Sequence, residues 1–401
     1  MTFNEYFEPE LLEGLISMGF EKPTPIQEQA IPIILNNRDI IACAQTGTGK
    51  TAAYLLPIIN KLIKSPTDNI NALIIVPTRE LAIQIDEALQ GFGYFTPVSA
   101  IAIYGGNDGS SYEQEKKALS QGANIIIATP GRLIAHLNQG YAKFSALQHL
   151  VLDEADRMLD MGFSDDLSRI ISFLPKERQT LLFSATMPPK IRTLANKILT
   201  NPDQINIAVS KPAERVIQGA YLVYNQQKIG LLKSLLEGKN LKSILIFSST
   251  KSKVKELEKE LRQLRFNVAA IHSDLLQDQR NDVLRGFKSR KLQMLVATDI
   301  LSRGIDIDSI ELVINYDVPG DAEDYIHRVG RTARAEATGV ALTFINPTDM
   351  RKFKNIEELI GSEVKKIPLP PSLGEGPDYH SESRPQQGQS RGPKRFFKNK
   401  R

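Results

Sequence analysis

Three stretches of the 401-residue chain carry side chains whose types and spacing suit phosphate chemistry. Ala44-Gln45-Thr46-Gly47-Thr48-Gly49-Lys50-Thr51 follows an apolar run and opens a helical pattern. Glycines let backbone N–H groups curl around phosphate oxygens, and a helix N-terminus favours the anion. Lys50 would reach the β- and γ-phosphates of a nucleotide, and the Thr51 hydroxyl would hold Mg2+. The leading glycine of G-x-x-x-x-G-K-[ST] is Ala44 here. Asp153-Glu154-Ala155-Asp156 follows the apolar run 149–152. A carboxylate there is placed to hold Mg2+, directly or through water, so Asp153 joins Thr51 as a metal candidate. Glu154 can polarise an attacking water. In His327-Arg328-Val329-Gly330-Arg331-Thr332-Ala333-Arg334, Arg331 and Arg334 are three apart and share a face on a helix. Two guanidiniums suit a γ-phosphate whose charge spreads in the transition state, a contribution of about 10³–10⁵ in rate. Each stretch alone has a plainer reading: a chance glycine loop, an acidic helix start favoured by the dipole, an exposed arginine face. Together they point to NTP hydrolysis with Mg2+, with Lys50, Asp153, Glu154, Arg331 and Arg334 as the catalytic set.

Short apolar runs alternate with helical patterns along the chain. Strands are predicted over 39–43, 72–76, 98–103, 125–128, 149–152 and 180–183, then over 243–247, 268–271, 293–297, 311–314 and 340–344. Several are apolar without a break, as in parallel strands buried on both faces. Amphipathic charged segments such as 251–265 lie between them. This is repeated βα alternation, hence an α/β fold with largely parallel sheets. The stretch 201–217 has two prolines and few long apolar stretches, which predicts a linker near 210–214. The expected division is one α/β domain over 1–209, a second over 210–368, and a flexible tail over 369–401.

Composition agrees with a soluble globular chain: 41% hydrophobic, 24% charged, one cysteine, net charge +4. A disordered, collagenous or disulfide-stapled chain is excluded. The single Cys43 and the absence of a signal-like start predict a cytoplasmic protein, and no apolar run approaches a membrane span. Charge is unevenly placed. Residues 381–401 carry +6, so the first 380 sum to −2. His136, His149, His272, His327 and His380 show no metal-ligand spacing, and all but His327 are expected to be structural or exposed. Cys43 and Tyr325 are expected to pack.

With these motifs in view, the chain resembles the DEAD-box ATP-dependent RNA helicases, whose signature is Asp153-Glu154-Ala155-Asp156. The resemblance spans residues 3–365 and implies two RecA-like domains. Gly19-Phe20-Glu21-Lys22-Pro23-Thr24-Pro25-Ile26-Gln27 is similar to the family's adenine-sensing motif. It implies that Phe20 stacks on adenine, that Lys22 lies at the nucleotide and that Gln27 reads the base edge, with Phe3 packing behind. The family's ATP site would therefore comprise Phe20, Lys22, Gln27, Ala44, Gln45, Thr46, Gly47, Thr48, Gly49, Lys50 and Thr51, joined by Gly304 and Asp306. Pro77-Thr78-Arg79-Glu80-Leu81, Gly105-Gly106 and Thr129-Pro130-Gly131-Arg132 resemble RNA-backbone motifs of the first domain. Ile246-Phe247-Ser248-Ser249-Thr250, Gln277-Asp278-Gln279-Arg280, Ala297-Thr298-Asp299 and Ser302-Arg303-Gly304-Ile305-Asp306 resemble those of the second. Thr78, Arg79, Gly106, Thr129, Arg132, Thr250, Gln277, Arg280, Thr298 and Arg303 are the RNA contacts so implied. Such contacts reach phosphate and sugar and carry little sequence information. Ser184-Ala185-Thr186 is similar to the motif that couples hydrolysis to strand separation, through Asp156 and near His327. Ser302 and Ala333 replace the commoner Ala and Gly, and both stay small.

The resemblance implies ATP and Mg2+ as cofactors and RNA as partner. It also implies a mechanism in which ATP and RNA bind across an open cleft and favour its closure. Closure would bend one strand and expel the other locally. Two other readings stay open: a DNA-directed helicase, since discrimination rests on 2′-hydroxyl contacts, and a non-hydrolysing RNA clamp or annealing protein. The short lead-in resembles the bacterial RhlE-like group. That suggests ribosome-precursor or RNA-decay partners, and nothing in the sequence demands more than a monomer.

Overall fold

The computed structural model describes residues 2–44, 47–106, 109–207, 216–272, 274–298, 310–332 and 339–379; the side chains of 109, 110, 277 and 323 are not described. The expected linker at 210–214, the tail from 380, and Gln45, Thr46, Asp299, Ser302, Arg303, Gly304, Asp306, Ala333 and Arg334 lie outside the described residues, as does the Gln277 side chain.

Two seven-stranded sheets are built in sequence. The first holds β1 (Ile40–Cys43), β2 (Ala72–Ile75), β3 (Ala100–Ile103), β4 (Ile125–Ala128), β5 (His149–Leu152), β6 (Gln179–Ser184) and β7 (Asp203–Asn206). The second holds β8 (Val216–Leu222), β9 (Ile244–Phe247), β10 (Val268–Ile271), β11 (Met294–Ala297), β12 (Leu312–Asn315), β13 (Gly339–Ile345) and β14 (Lys365–Lys366). The orders are β3-β4-β2-β5-β6-β1-β7 and β10-β11-β9-β12-β13-β8-β14, with every pairing parallel. Counted from the first strand of each, the two orders are identical. The protein is one topology built twice, without any short sequence repeat.

Burial on both faces explains the unbroken apolar strands. Ala72 and Ile74 enter one core cluster while Leu73 and Ile75 enter the cluster across the sheet. In the second sheet Leu245 and Phe247 face one core, Ile244 and Ile246 the other. Side chains alternate across a strand, so a strand covered on both sides must be apolar at every position. Each such side chain contributes about 1.5–3 kcal/mol of burial. The covering helices include α1 (Pro9–Ser17), α2 (Pro25–Leu35), α3 (Lys50–Lys64), α4 (Arg79–Phe92), α5 (Gly109–Gln121), α6 (Pro130–Leu137), α7 (Ala155–Asp160), α8 (Ser164–Ser172) and α9 (Pro189–Ile198). In the second domain they include α10 (Lys228–Leu236), α11 (Lys251–Gln263) and α12 (Gln277–Lys288), then helices Ala322–Val329 and Met350–Ile360. Parallel strands need a crossover each, and the crossovers put every strand's carboxyl end on one rim.

Three strands escape the apolar reading. β7 is polar (Asp203-Gln204-Ile205-Asn206) and buries chiefly Ile205. It holds the sheet edge by pairing with β1. β8 begins at Val216, just after the expected linker at 210–214, and pairs with β13 along its whole length. β14 is a two-residue edge strand of lysines.

Beyond Pro368, where the second domain is expected to end, the chain stays packed on it. Leu369 and Leu373 pack on the core, and Gln227 Nε2 donates to the carbonyls of Leu373 (2.8 Å) and Glu375 (3.1 Å). Tyr379 Oη donates to Glu357 Oε2 at 2.9 Å, and Lys366 Nζ lies 4.5 Å from its ring centroid. This proline-rich strap holds one 3-10 turn, Pro371–Leu373, and its leucines and tyrosine still find apolar surface. Tyr325 is buried, edge-on to Phe353, with its hydroxyl on Gln218, so it packs as expected.

Candidate active site

The loop from β1 to α3 turns at two left-handed glycines, Gly47 (φ 84°) and Gly49 (φ 93°), where side chains are disfavoured. Ala44 holds the loop's start by donating its N–H to the Ser184 carbonyl (3.0 Å). A Cβ on Gly49 would stand 2.5 Å from Gln27 Nε2, so the loop and α2 are in close contact. Gln27 is buried and bonded twice. Its Oε1 accepts from the Thr24 N–H (2.9 Å) and its Nε2 donates to the Gly49 carbonyl (3.1 Å). One amide hydrogen and one lone pair remain for a base edge. Phe20 is half-buried against Phe92, in the cluster that also buries Phe3, and Lys22 is exposed.

Lys50 begins α3 and is only 6% exposed, yet its Nζ has no hydrogen-bond partner among the described residues. An unpaired buried ammonium is costly and is stabilised by an anion. A phosphate cradled by Gly47 to Thr51 fits that need. Thr51 follows it, half-buried.

The carboxyl end of β5 delivers Asp153 and Glu154, both buried. Asp153 Oδ2 accepts from Tyr54 Oη (3.0 Å), and its Oδ1 accepts from the Glu154 N–H (2.9 Å). Burial pushes the Asp153 carboxyl above its usual value; Lys50 opposes this and Glu154 adds to it. Glu154 adopts φ 51°, ψ 49° at the start of α7, which costs about 1–3 kcal/mol for a non-glycine residue. Burial also works against its charge, but Arg157, Lys50 and, more weakly, His327 outweigh it, so Glu154 lies below the usual range. Arg157 Nη1 donates to Glu154 Oε2 at 3.1 Å. Adjacent carboxyls pushed in opposite directions are the mark of divided roles. His327 stands on helix Ala322–Val329 of the second domain, so the site is completed across the two domains. Arg331 is buried just beyond that helix.

Asp156 ties the two motifs of the first domain. Its Oδ2 accepts from the N–H of Ala185 (3.1 Å) and Thr186 (2.8 Å) and from Thr186 Oγ1 (3.0 Å). Ser184 Oγ accepts from the Asp156 N–H at 3.2 Å.

The rim formed by strand carboxyl ends gathers the remaining predicted residues. Thr78 caps α4, accepting from the Leu81 N–H (3.4 Å). Arg79 lies over the Tyr104 ring and against Gly106, where a Cβ would come within 2.2 Å of its Nη2. Thr129 and Arg132 start α6, and Thr250 caps α11 by accepting from the Lys253 N–H (3.3 Å). Thr298 follows β11 and is half-buried. Arg280 makes an ion pair with Glu80 of the first domain, an engagement the motif pattern did not foretell. Asp317, after β12, holds Ser248 Oγ (3.0 Å), the Ser249 N–H (2.9 Å) and buried Lys228 (3.0 Å), and so fixes the loop that ends in Thr250.

Sequence reasoning missed Tyr54, Arg157 and Asp317, and gave Glu80 no role beyond its place in the Pro77–Leu81 motif. Arg157 had a local signal, its i,i+3 spacing from Glu154. Tyr54 stands one helical turn beyond Lys50. Asp317 and the pairing of Glu80 with Arg280 had none, because the partners are distant in sequence. His136 and His149 are buried and paired, and Cys43 is partly buried with its thiol on the Ala185 carbonyl.

Two copies of one parallel sheet, with a phosphate loop on the first and an arginine segment on the second, define a two-domain helicase-type protein. Residues 24–194 match the DEAD/DEAH box helicase family and residues 227–336 the helicase conserved C-terminal domain. The chain is 42% identical over 376 residues to the DEAD-box ATP-dependent RNA helicase CshA of Geobacillus kaustophilus, covering 93% of this chain and 79% of that one. It is 41% identical over 372 residues to the CshA helicase of Bacillus subtilis, covering 92% and 76%. Among solved structures, S. cerevisiae Dbp5 bound to RNA and ADP BeF3 superposes with a TM-score of 0.82 at 32% identity, covering 92% of this chain and 95% of that one. Mss116p bound to ssRNA and AMP-PNP gives 0.81 at 29%, covering 92% and 79%. The chain belongs to the DEAD-box family of ATP-dependent RNA helicases. No described helix is long and apolar enough to cross a membrane.

Proposed function

We propose that the chain hydrolyses ATP at the junction of its two domains and uses the cycle to separate short RNA duplexes locally. The observation that carries this reading is Glu154, whose carboxylate is held ionised by Arg157 and Lys50 of its own domain and by His327 of the other. Lys50 binds the β- and γ-phosphates. Glu154 orients the attacking water and takes its proton. Arg331, with Arg334, stabilises charge on the transferring phosphoryl group. Phe20, Lys22 and Gln27 select adenine, with Gly304 and Asp306 facing the nucleotide from the second domain. Asp156, Ser184, Thr186 and His327 couple nucleotide state to the RNA rim.

Thr51 and Asp153 would hold Mg2+, which would neutralise phosphate charge when bound. The donor set supports this: Asp153 is a buried carboxyl that desolvation pushes toward neutrality, and a cation reverses that. Among the described residues no cluster of three or more His, Cys, Asp or Glu could hold a metal by itself. The RNA contacts are those of the rim, from Thr78 and Arg79 through Thr298, with Arg303 added by the motif resemblance, and reach backbone. We read the protein as a cytoplasmic monomer acting in RNA remodelling such as ribosome assembly or RNA decay; its lone cysteine suits a reducing compartment.

A Glu154→Gln variant tests the assignment. It should bind ATP and single-stranded RNA in a long-lived complex, with turnover reduced by about 10²–10⁴. Normal steady-state turnover would refute the role. Parallel titration of wild-type ATPase with RNA and DNA separates the RNA reading from the DNA one.

A further inference from the structure

Arg132 does not stand free on the RNA rim. Its Nε donates to Glu115 Oε2 at 2.7 Å, and its guanidinium lies 4.9 Å from the Tyr112 ring centroid. Glu115 is on α5, 17 residues earlier in the chain, and almost wholly buried. The same oxygen meets His136 Nε2 at 2.7 Å. His136 is completely buried, one turn after Arg132 on α6; its Nδ1 meets Tyr141 Oη and its ring stacks on Tyr112 at 4.5 Å. A carboxylate is therefore clamped from below by a histidine and grips an arginine above.

The grip is one-sided. A guanidinium and a carboxylate normally pair through two parallel bonds. Here only Nε is engaged. Arg132 Nη2 and Glu115 Oε1 are both buried without a hydrogen-bond partner among the described residues. Nη2 is shielded from solvent, so an anion can meet Arg132 only through the rest of its side chain, which is 17% exposed.

We propose that Glu115 and His136 are positioning residues for RNA: they lock Arg132 by its Nε and hold the part of its side chain that stays exposed, 17%, where a backbone phosphate oxygen can meet it. The proposal rests on the reading of Arg132 as an RNA contact. Fixing a long side chain before binding removes an ordering cost that would otherwise weaken affinity. Tyr112 adds a flat wall that keeps the guanidinium plane fixed.

The test is a double-mutant cycle on the full chain, read by anisotropy of a short fluorescein-labelled oligouridylate with an ATP analogue present. Arg132→Ala should raise Kd about tenfold, the loss of one charge-assisted bond. Glu115→Ala should raise it about fivefold, the cost of ordering one side chain. Glu115→Gln, which keeps an acceptor for Nε, should recover most of that loss. In the Arg132→Ala background, Glu115→Ala should change nothing further. In ATPase assays the loss should fall on the half-saturating RNA concentration rather than on kcat. Equal losses in both backgrounds would make Glu115 merely structural and overturn the proposal. So would wild-type affinity in a folded Glu115→Ala variant whose Arg132→Ala counterpart is weakened. Wild-type affinity in Arg132→Ala would instead reject Arg132 as an RNA contact, and the positioning role with it.

Discussion

Arg280 Nη1 donates to Glu80 Oε1 at 3.0 Å, joining α12 of the second domain to α4 of the first. Their side chains are 14% and 12% exposed. Glu80 lies in the first turn of its helix, where the dipole favours it; Arg280 lies in the first turn of its own, where the dipole does not. Arg280 therefore gains most from the partner across the cleft. Because the pair exists only when the domains meet, it stabilises the closed arrangement and not either domain alone.

Removing either member should open the clamp. Glu80→Gln or Arg280→Met should raise the RNA concentration that half-saturates ATP hydrolysis by about tenfold, about 1.4 kcal/mol. The exchanged pair Glu80→Arg with Arg280→Glu should restore part of it. Interdomain fluorescence transfer would show the shift directly. Single variants that close as well as the wild type would remove the pair from the mechanism.

Lys50 is buried with no hydrogen-bond partner among the described residues, so its loss should separate binding from stability. Lys50→Met should weaken ATP binding about 100-fold, two charge-assisted bonds' worth. The melting temperature of the nucleotide-free chain should not fall. Calorimetric titration with ATP and a melting curve check both; unchanged ATP affinity would contradict the site.

Much of this was legible in the sequence. The doubly buried strands announced themselves as unbroken apolar runs, and the loop at Gly47 and Gly49 by residues that only a turn requires. What escaped was of two kinds. β7 and the strap through Leu373 and Tyr379 bury too few apolar residues to show a period. Pairs such as Arg280 with Glu80, and the joint hold of Asp317 on Lys228 and Ser249, unite residues far apart in the chain, and local pattern is blind to them. Their partners emerge only when the fold closes.

Asp317 predicts a pH dependence. Burial alone would raise its carboxyl, but Lys228, the Ser249 N–H and Lys253 outweigh burial and hold it well below the usual range. A carboxyl depressed by folding contributes stability that is full above its unfolded value of about 3.9 and is lost as pH falls toward its folded value. Asp317→Asn leaves Lys228 buried without its anion, so urea unfolding at pH 7 should show a loss of about 3 kcal/mol. The gap between variant and wild type should narrow at pH 3. A gap that widens in acid would contradict the ion-pair account.

The charge of the chain lies in its end. Residues 381–401 carry +6 on a body of −2. Deleting them should weaken RNA binding and flatten its salt dependence, because each phosphate neutralised adds about 0.7 to the slope for single strands. ATP hydrolysis at saturating RNA should persist. An unchanged salt slope would give the tail another role.

The central claim is that the hydrolytic site is complete only when RNA helps to bring the two domains together. The most direct measurement is the ATPase rate of the full chain, with Mg2+, against rising single-stranded RNA. The account predicts a low rate without RNA that climbs at least about tenfold to saturation. A rate as high without RNA as with it would contradict it.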